Sequence, residues 1–453
     1  MNSNSIKITY IGGGSRGWAW NLMSDLAMEP DLKGEVCLYD IDREAARVNE
    51  AIGNRIGHGG FRYRAEDEIG KALTGADFVI ISILPGTFDE MQSDVHLPEE
   101  YGIYQSVGDT AGPGGIVRAM RTIPMYVEIA QAIEKYAPEA WVINYTNPMT
   151  MCMDTLYSVF PKIKAFGCCH EVFGTQKVLG DMVKEMLGAE DPQRSEIKVN
   201  VKGINHFTWI DRAGYHGIDL MPLYKQYVEK YGKTGVAPEQ KPDPEEQAMF
   251  SCRQMVKFDL FSRFGVIAAA GDRHLAEFCP GYWYLKDPET VKRWGFGLTT
   301  VAYRKRSLQD RLKKSHELAS GARQFELNGS GEEGVMQIKA ILGMGDIVTN
   351  VNLPNRGQIA NMAPGRIVET NAHFTSGSVT PVVAGPLPDS IHGRVTLASD
   401  NFRVVVESCL KRDLNGCFKA FANDPLVAIP VDRAEELFTR MIKNTEKYLT
   451  YYK

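Results

Sequence analysis

Four stretches of the chain hold residues whose types and spacing could do chemistry. The first is Gly12-Gly13-Gly14-Ser15-Arg16-Gly17, a Gly-x-Gly-x-x-Gly loop. It follows a short apolar run, Ile6–Ile11, and precedes a helix-like segment, Ala19–Ala27. Glycines so placed permit a tight turn, close approach of a pyrophosphate and close helix–strand packing. The free N–H groups of the helix start would meet the phosphates. Asp40 ends the next apolar run, where an acid would hold ribose hydroxyls and repel a 2′-phosphate. This order of strand, loop, helix, strand and acid predicts an NAD site. The expected contacts are Gly12, Gly14, Ser15, Arg16, Gly17, Asp40 and Pro85, which closes a later apolar run.

The second stretch is Cys168-Cys169-His170-Glu171, matched by a later run ending Gly203-Ile204-Asn205-His206. Both lie at strand C-terminal ends, where α/β folds gather ligands. Cys169 and His206 are candidate ligands of one metal. The plainer alternatives are a small buried hydrophobe and a capping histidine. The third is Gly271-Asp272-Arg273-His274 with Glu277 one turn on. It reads as a site edge or as a solvated loop with a local salt bridge. The fourth is Asn144-Tyr145-Thr146-Asn147-Pro148, where Asn147 could bond a sugar or an acid, or open a turn.

These residues need elements to position them. Val36–Tyr39, Phe78–Leu84, Trp141–Tyr145 and Ile163–Cys168 are short apolar runs like Ile6–Ile11. Such runs read as strands buried on both faces. Helix-length segments lie between them, among them Ile116–Tyr136 with a kink expected at Pro124. The alternation predicts an α/β protein with a Rossmann-type doubly wound parallel sheet. After about residue 195 the texture changes to mixed α+β. Ile197, Val199 and Val201 alternate with polar residues as a half-exposed strand does. Residues 233–246 read as an exposed loop, 248–264 and 422–451 as helical, and 346–353 and 367–374 as strands. The predicted units are a nucleotide-binding domain, 1–195, and a substrate, metal and oligomerisation domain, 196–453.

Length and charge narrow the class. The 453 residues carry 51 Lys+Arg and 56 Asp+Glu, a net charge of −5, with 44% hydrophobic residues. A mildly acidic chain without a basic face does not suit nucleic acid. No stretch is apolar enough to span a membrane, and no leader is visible after Met1. The eight cysteines therefore read as reduced thiols of a cytoplasmic enzyme.

Taken together the motifs resemble glycoside hydrolase family 4, the NAD- and metal-dependent glycosidases. The resemblance covers nearly the whole chain. It includes the glycine loop, Gly108-Asp109-Thr110-Ala111-Gly112-Pro113-Gly114-Gly115, Asn-Tyr-Thr-Asn-Pro, Cys-His-Glu-Val at 169–172, Gly-Ile-Asn-His at 203–206, and Val351-Asn352-Leu353-Pro354-Asn355-Arg356-Gly357. Cys-His-Glu-Val resembles the branch acting on uronic acids, and the arginine of phospho-sugar members is missing from Glu90-Met91-Gln92-Ser93. Within that branch the chain is most similar to bacterial α-galacturonidases.

The resemblance implies a small oligosaccharide or uronide substrate cleaved at an α-galacturonide bond. The implied route is oxidation at carbon 3 by NAD, elimination across carbons 2 and 1, water addition and reduction, outside the usual two-carboxylate scheme. It implies Mn²⁺ on Cys169 and His206, His170 as leaving-group acid and Asp272 as base. Asn147, Asn205, Arg273 and His274 would contact the sugar, with Arg273, Arg118 or Arg121 reading the carboxylate. Relatives suggest a homodimer or homotetramer. The alternatives are an α-glucuronidase, an α-galactosidase or α-glucosidase of the same family, an NAD-dependent hydroxy-acid dehydrogenase, or a non-catalytic NAD sensor.

Overall fold

A computed structural model describes residues 5–452; Met1, where a leader was sought, lies outside them. The first six strands are β1 (Ser5–Ile11), β2 (Lys33–Tyr39), β3 (Gly60–Glu66), β4 (Phe78–Ile81), β5 (Trp141–Asn144) and β6 (Lys164–Gly167). They pair in parallel in the order β3-β2-β1-β4-β5-β6. This is the Rossmann order, with its crevice where the order reverses beyond the ends of β1 and β4.

The apolar runs behave as their composition demands. All four residues of β4 are buried. Phe78 and Ile80 pack on one face with Met23 and Leu26 of the helix Trp18–Ala27. Val79 and Ile81 pack on the other with Tyr126, Ile129 and Ile133 of the helix Gly112–Tyr136. A strand with period two has no polar side when both faces are covered. Each such side chain contributes about 1.5–3 kcal/mol by leaving water.

The sheet does not stop at six strands. β7 (Ile197–Ile204), β8 (Phe207–Tyr215), β9 (Ile218–Asp219) and β10 (Ile267–Ala268) form a separate antiparallel sheet. β11 (Ile347–Pro354), β12 (Ile367–Thr375) and β13 (Ser378–Pro381) then extend the first sheet to nine strands, antiparallel, with β11 beside β6. Hydrogen bonding of the first sheet thus crosses the division expected near residue 195.

Some expected elements differ. β3 was not read from the sequence, because as the sheet edge it alternates Phe61, Tyr63 and Ala65 with Arg62, Arg64 and Glu66. The helical stretch 248–264 is two helices, Pro244–Phe250 and Met255–Phe264. Between them Gln254 takes φ 63° and Cys252 bridges to Phe296, so the helix ladder cannot continue. The loop expected at 233–246 accordingly ends at Pro244. The C-terminal helix is Val431–Asn444, preceded by Leu414–Ala422. Pro425 and Pro430 lie between them and deny the backbone donors a helix needs. The helix Gly112–Tyr136 is continuous through Pro124. Among the described residues no helix is long and apolar enough to cross a membrane.

Candidate active site

The site is assembled along the C-terminal edge of the parallel strands. The glycine loop leaves β1 with Gly12 at φ 93°, and a Cβ there would stand 2.0 Å from the carbonyl oxygen of Ser82. Only glycine lets the loop cross β4 this closely. Asp40 Oδ2 accepts the N–H of Gly14 at 2.8 Å and its Oδ1 that of Asp42 at 2.9 Å. Burial pushes the Asp40 carboxyl up, against these two donors. Arg16 Nε is buried without a partner, beside the half-buried Ser15. An open helix start, an unpartnered guanidinium and an acid at the end of β2 fit a dinucleotide. Pro85, also expected at the cofactor, is buried, and its carbonyl accepts from Arg121 Nε.

The second layer comes from the loop before the helix Gly112–Tyr136. A Cβ on Gly115 would meet the Thr110 carbonyl carbon at 2.4 Å, so Gly-Pro-Gly-Gly lets this loop fold against its own helix. Glu277 accepts the N–H groups of Val107 and Gly108 at 2.7 and 2.9 Å and anchors the loop from outside. Burial raises the Glu277 carboxyl to about 7. The loop so held presents Asp109 and Thr110.

His206 arrives from the other sheet. Asn205-His206 is the two-residue turn between β7 and β8, and His206 sits at φ 63°. A non-glycine residue held there costs on the order of 1–3 kcal/mol, a strain that collects at functional positions. Ligand atoms of Asp109, His206 and His274 all lie within 4.8 Å of one another, and the two imidazole centroids are 3.7 Å apart. Thr110 Oγ1 donates to Asp109 Oδ1 at 2.7 Å and lies 2.9 Å from His206 Nδ1. Having used its proton on Asp109, the hydroxyl accepts from Nδ1–H, which leaves the Nε2 lone pair free. Burial, reinforced by the neighbouring His274, lowers the His206 pKa to about 3, so the ring is neutral. His274 Nδ1 is buried without a partner while its Nε2 faces Glu171 Oε1 at 3.5 Å. Two imidazoles oriented by partners and one carboxylate form a donor set that suits a divalent cation such as Mn²⁺.

The residues expected at the site are distributed as follows. Cys169 lies outside the mutual group of three; its thiol touches Asn205, and burial and Glu369 push it well up. His170 is exposed, with Nδ1 bonded to Glu332 at 2.8 Å, a bond that raises its pKa. Trp18 stands beside it, ring centroids 6.4 Å apart. Asn147 and Asn205 each keep a buried Oδ1 without a partner. Asn205 Nδ2 donates to Glu369, which also accepts from Asn350 and Asn352. Asp272 is fully buried, with Oδ1 accepting from the N–H of Lys257 at 3.0 Å and Oδ2 unpartnered. Burial raises it to about 6. Arg273 donates to the carbonyls of Gly297 and Ser106 and to Thr299 Oγ1. Arg121 is not free to read a carboxylate from outside, because Asp94 holds both of its terminal nitrogens, at 3.0 and 2.5 Å.

Sequence reasoning did not assign Asp109, Glu332 or Glu369. Asp109 had one local signal, an acid among glycines ahead of a helix start. Glu332 and Glu369 had none, since distant parts of the chain bring them to His170 and Asn205.

Residues 7–185 match family 4 glycosyl hydrolase, and residues 201–427 match the family 4 glycosyl hydrolase C-terminal domain. An α-galacturonidase of Thermoanaerobacterium saccharolyticum is 58% identical over 99% of this chain and 98% of its own. A crystal structure from Bacillus subtilis, described as a glucosidase, is 52% identical and superposes with a TM-score of 0.92 over 96% of this chain and 99% of that one. A 6-phospho-α-glucosidase from gut microorganisms, solved with NAD and Mn²⁺, shares the fold with a TM-score of 0.77 at 20% identity, over 98% of this chain and 99% of that one.

Proposed function

The chain belongs to the family 4 glycosyl hydrolases, and from that premise we propose that it hydrolyses α-linked galacturonides, using NAD and a divalent cation, with Mn²⁺ the expected metal. The observation that carries this reading is the 58% identity to an α-galacturonidase across 99% of the chain. The converging groups Asp109, His206 and His274 beside a dinucleotide loop support it.

Bound NAD would take and return one hydride at carbon 3, and the cation would polarise the sugar oxygens, so the reaction has no net redox change. The remaining work falls to this chain's side chains. Cys169, His206, Asp109 and His274 would hold the cation. His170, tethered through Nδ1 to Glu332, keeps Nε2 for the glycosidic oxygen and acts as the leaving-group acid. Asp272, anchored through Oδ1 and with Oδ2 to spare, is the candidate base at carbon 2. The orphan Oδ1 atoms of Asn147 and Asn205 would accept sugar hydroxyls. All eight cysteines are free thiols, in keeping with a cytoplasmic enzyme.

The test supplies NAD and Mn²⁺ and compares the p-nitrophenyl α-galacturonide with the glucuronide and the galactoside. The galacturonide should exceed the neutral galactoside in kcat/KM by about 100-fold, the worth of a bidentate carboxylate contact. Equal turnover of the galactoside overturns the uronide reading. Stoichiometric NADH accumulation overturns the glycosidase reading in favour of a dehydrogenase.

A further inference from the structure

A chain of net charge −5 cannot draw an anionic sugar with its overall field, so cations at the site must do it. Arg118, Arg121, Arg273 and Arg304 are buried or half-buried and differ in what already holds them. Arg121 is closed by Asp94. Arg118 donates through Nε to the Asn147 carbonyl and has Asp109 as its principal carboxylate neighbour. Arg273 donates to Gly297, Ser106 and Thr299.

Arg304, on the helix Val301–Ser320, is held by none of these. Its Nε is buried without a hydrogen-bond partner, and among the described residues no carboxylate lies within ion-pair reach of it. The guanidinium carbons of Arg273 and Arg304 stand 5.0 and 5.3 Å from the centroid of one ring, Phe250. Stacking on an aromatic face fixes a guanidinium plane and leaves its N–H edge for a planar anion. Asp109, of the metal-competent group, is the carboxylate whose field acts on Arg304. A buried guanidinium N–H without an acceptor is costly, and a ligand carboxylate that meets Nε and an adjoining terminal nitrogen relieves it.

We propose that Arg304, stacked on Phe250 beside the anchored Arg273, reads the carbon 6 carboxylate of the substrate and sets the enzyme's preference for uronides. The proposal rests on the uronide reading above. Its neighbour Arg311 reaches toward Gly17, 3.5 Å from a Cβ built there, so this helix also flanks the dinucleotide loop. The competing assignment, a cofactor phosphate, is therefore an outcome of the test.

The experiment uses the full-length enzyme loaded with NAD and Mn²⁺. Arg304→Met keeps length and stacking; Arg304→Lys keeps charge without the fork. Arg304→Met should lower kcat/KM for the galacturonide by about 100-fold and Arg304→Lys by about 10-fold. Turnover of the neutral galactoside and the Kd for NAD should both stay within about twofold of wild type. Inhibition by free galacturonate should be lost in Arg304→Met while inhibition by galactose is kept. Equal losses on both substrates, an unchanged galacturonide rate, or weakened NAD binding would each overturn the proposal. Failure of the parent reading shows separately, as wild-type enzyme inert on galacturonide. Direct galacturonate binding, measured calorimetrically, then decides the residue's role: loss in Arg304→Met supports it, and unchanged binding overturns it.

Discussion

Asp94–Arg121 and Asp109–His206–His274 are two clusters of ionisable side chains built on opposite rules. In the first, each guanidinium terminal nitrogen meets one carboxylate oxygen, and both side chains are almost fully buried. Nothing is left over for a ligand. In the second, His274 Nδ1 has no partner, the His206 Nε2 lone pair is free, and His206 is held at a positive φ. The first cluster is closed and serves the fold. The second is open, with ring nitrogens to spare for a ligand. Glu369, with three asparagine amides on one carboxyl, belongs with the closed kind, although it orients Asn205 for the open one.

Substitutions can break this contrast. His206→Ala should lower kcat by about 10³-fold, several kcal/mol of charge stabilisation, while the melting temperature holds or rises as the strained φ is relieved. Arg121→Ala should do the reverse. An uncompensated buried Asp94 costs about 3–5 kcal/mol of stability, read from the urea midpoint, with kcat per folded molecule unchanged. If both variants lost stability equally, the two clusters would not be different in kind.

Smaller effects sharpen the open cluster. Thr110→Val removes the hydroxyl that fixes the His206 tautomer and should weaken Mn²⁺ binding by about 10–100-fold, measured by titration into apo-enzyme. Glu332→Gln removes the charge behind His170 and should cost about tenfold in kcat with a methyl glycoside and less with p-nitrophenol, which leaves without a proton. Equal losses on both leaving groups would remove His170 from the role of acid.

Much of this was legible in the sequence because it is local. The strand Phe78–Ile81 at the sheet centre is apolar on every residue, its neighbours are mostly so, and strand ends mark where ligands gather. The strand Gly60–Glu66 was hidden, because an edge strand carries arginines and a glutamate among its apolar residues. The break at Gln254 was hidden, because a bridge from Cys252 to Phe296 decides it. In the site, His206, Cys169 and Asn147 are strand-end residues and could be picked out singly. Arg304 and Glu332 could not, since they carry no motif and come to the site only through helix packing and a long connection. For that reason Arg304 was not among the residues Arg118, Arg121 and Arg273 expected to read the carboxylate. What separates the four is which partners the fold has already supplied.

Hydrolysis on a dinucleotide fold, through transient oxidation and loss of the carbon 2 proton, leaves a mark in the product. Hydrolysis of an α-galacturonide in deuterium oxide, followed by NMR of the released sugar, tests it directly. Deuterium at carbon 2 of the galacturonate and an unchanged total of NAD⁺ are expected. Galacturonate released with its original proton at carbon 2 would contradict it.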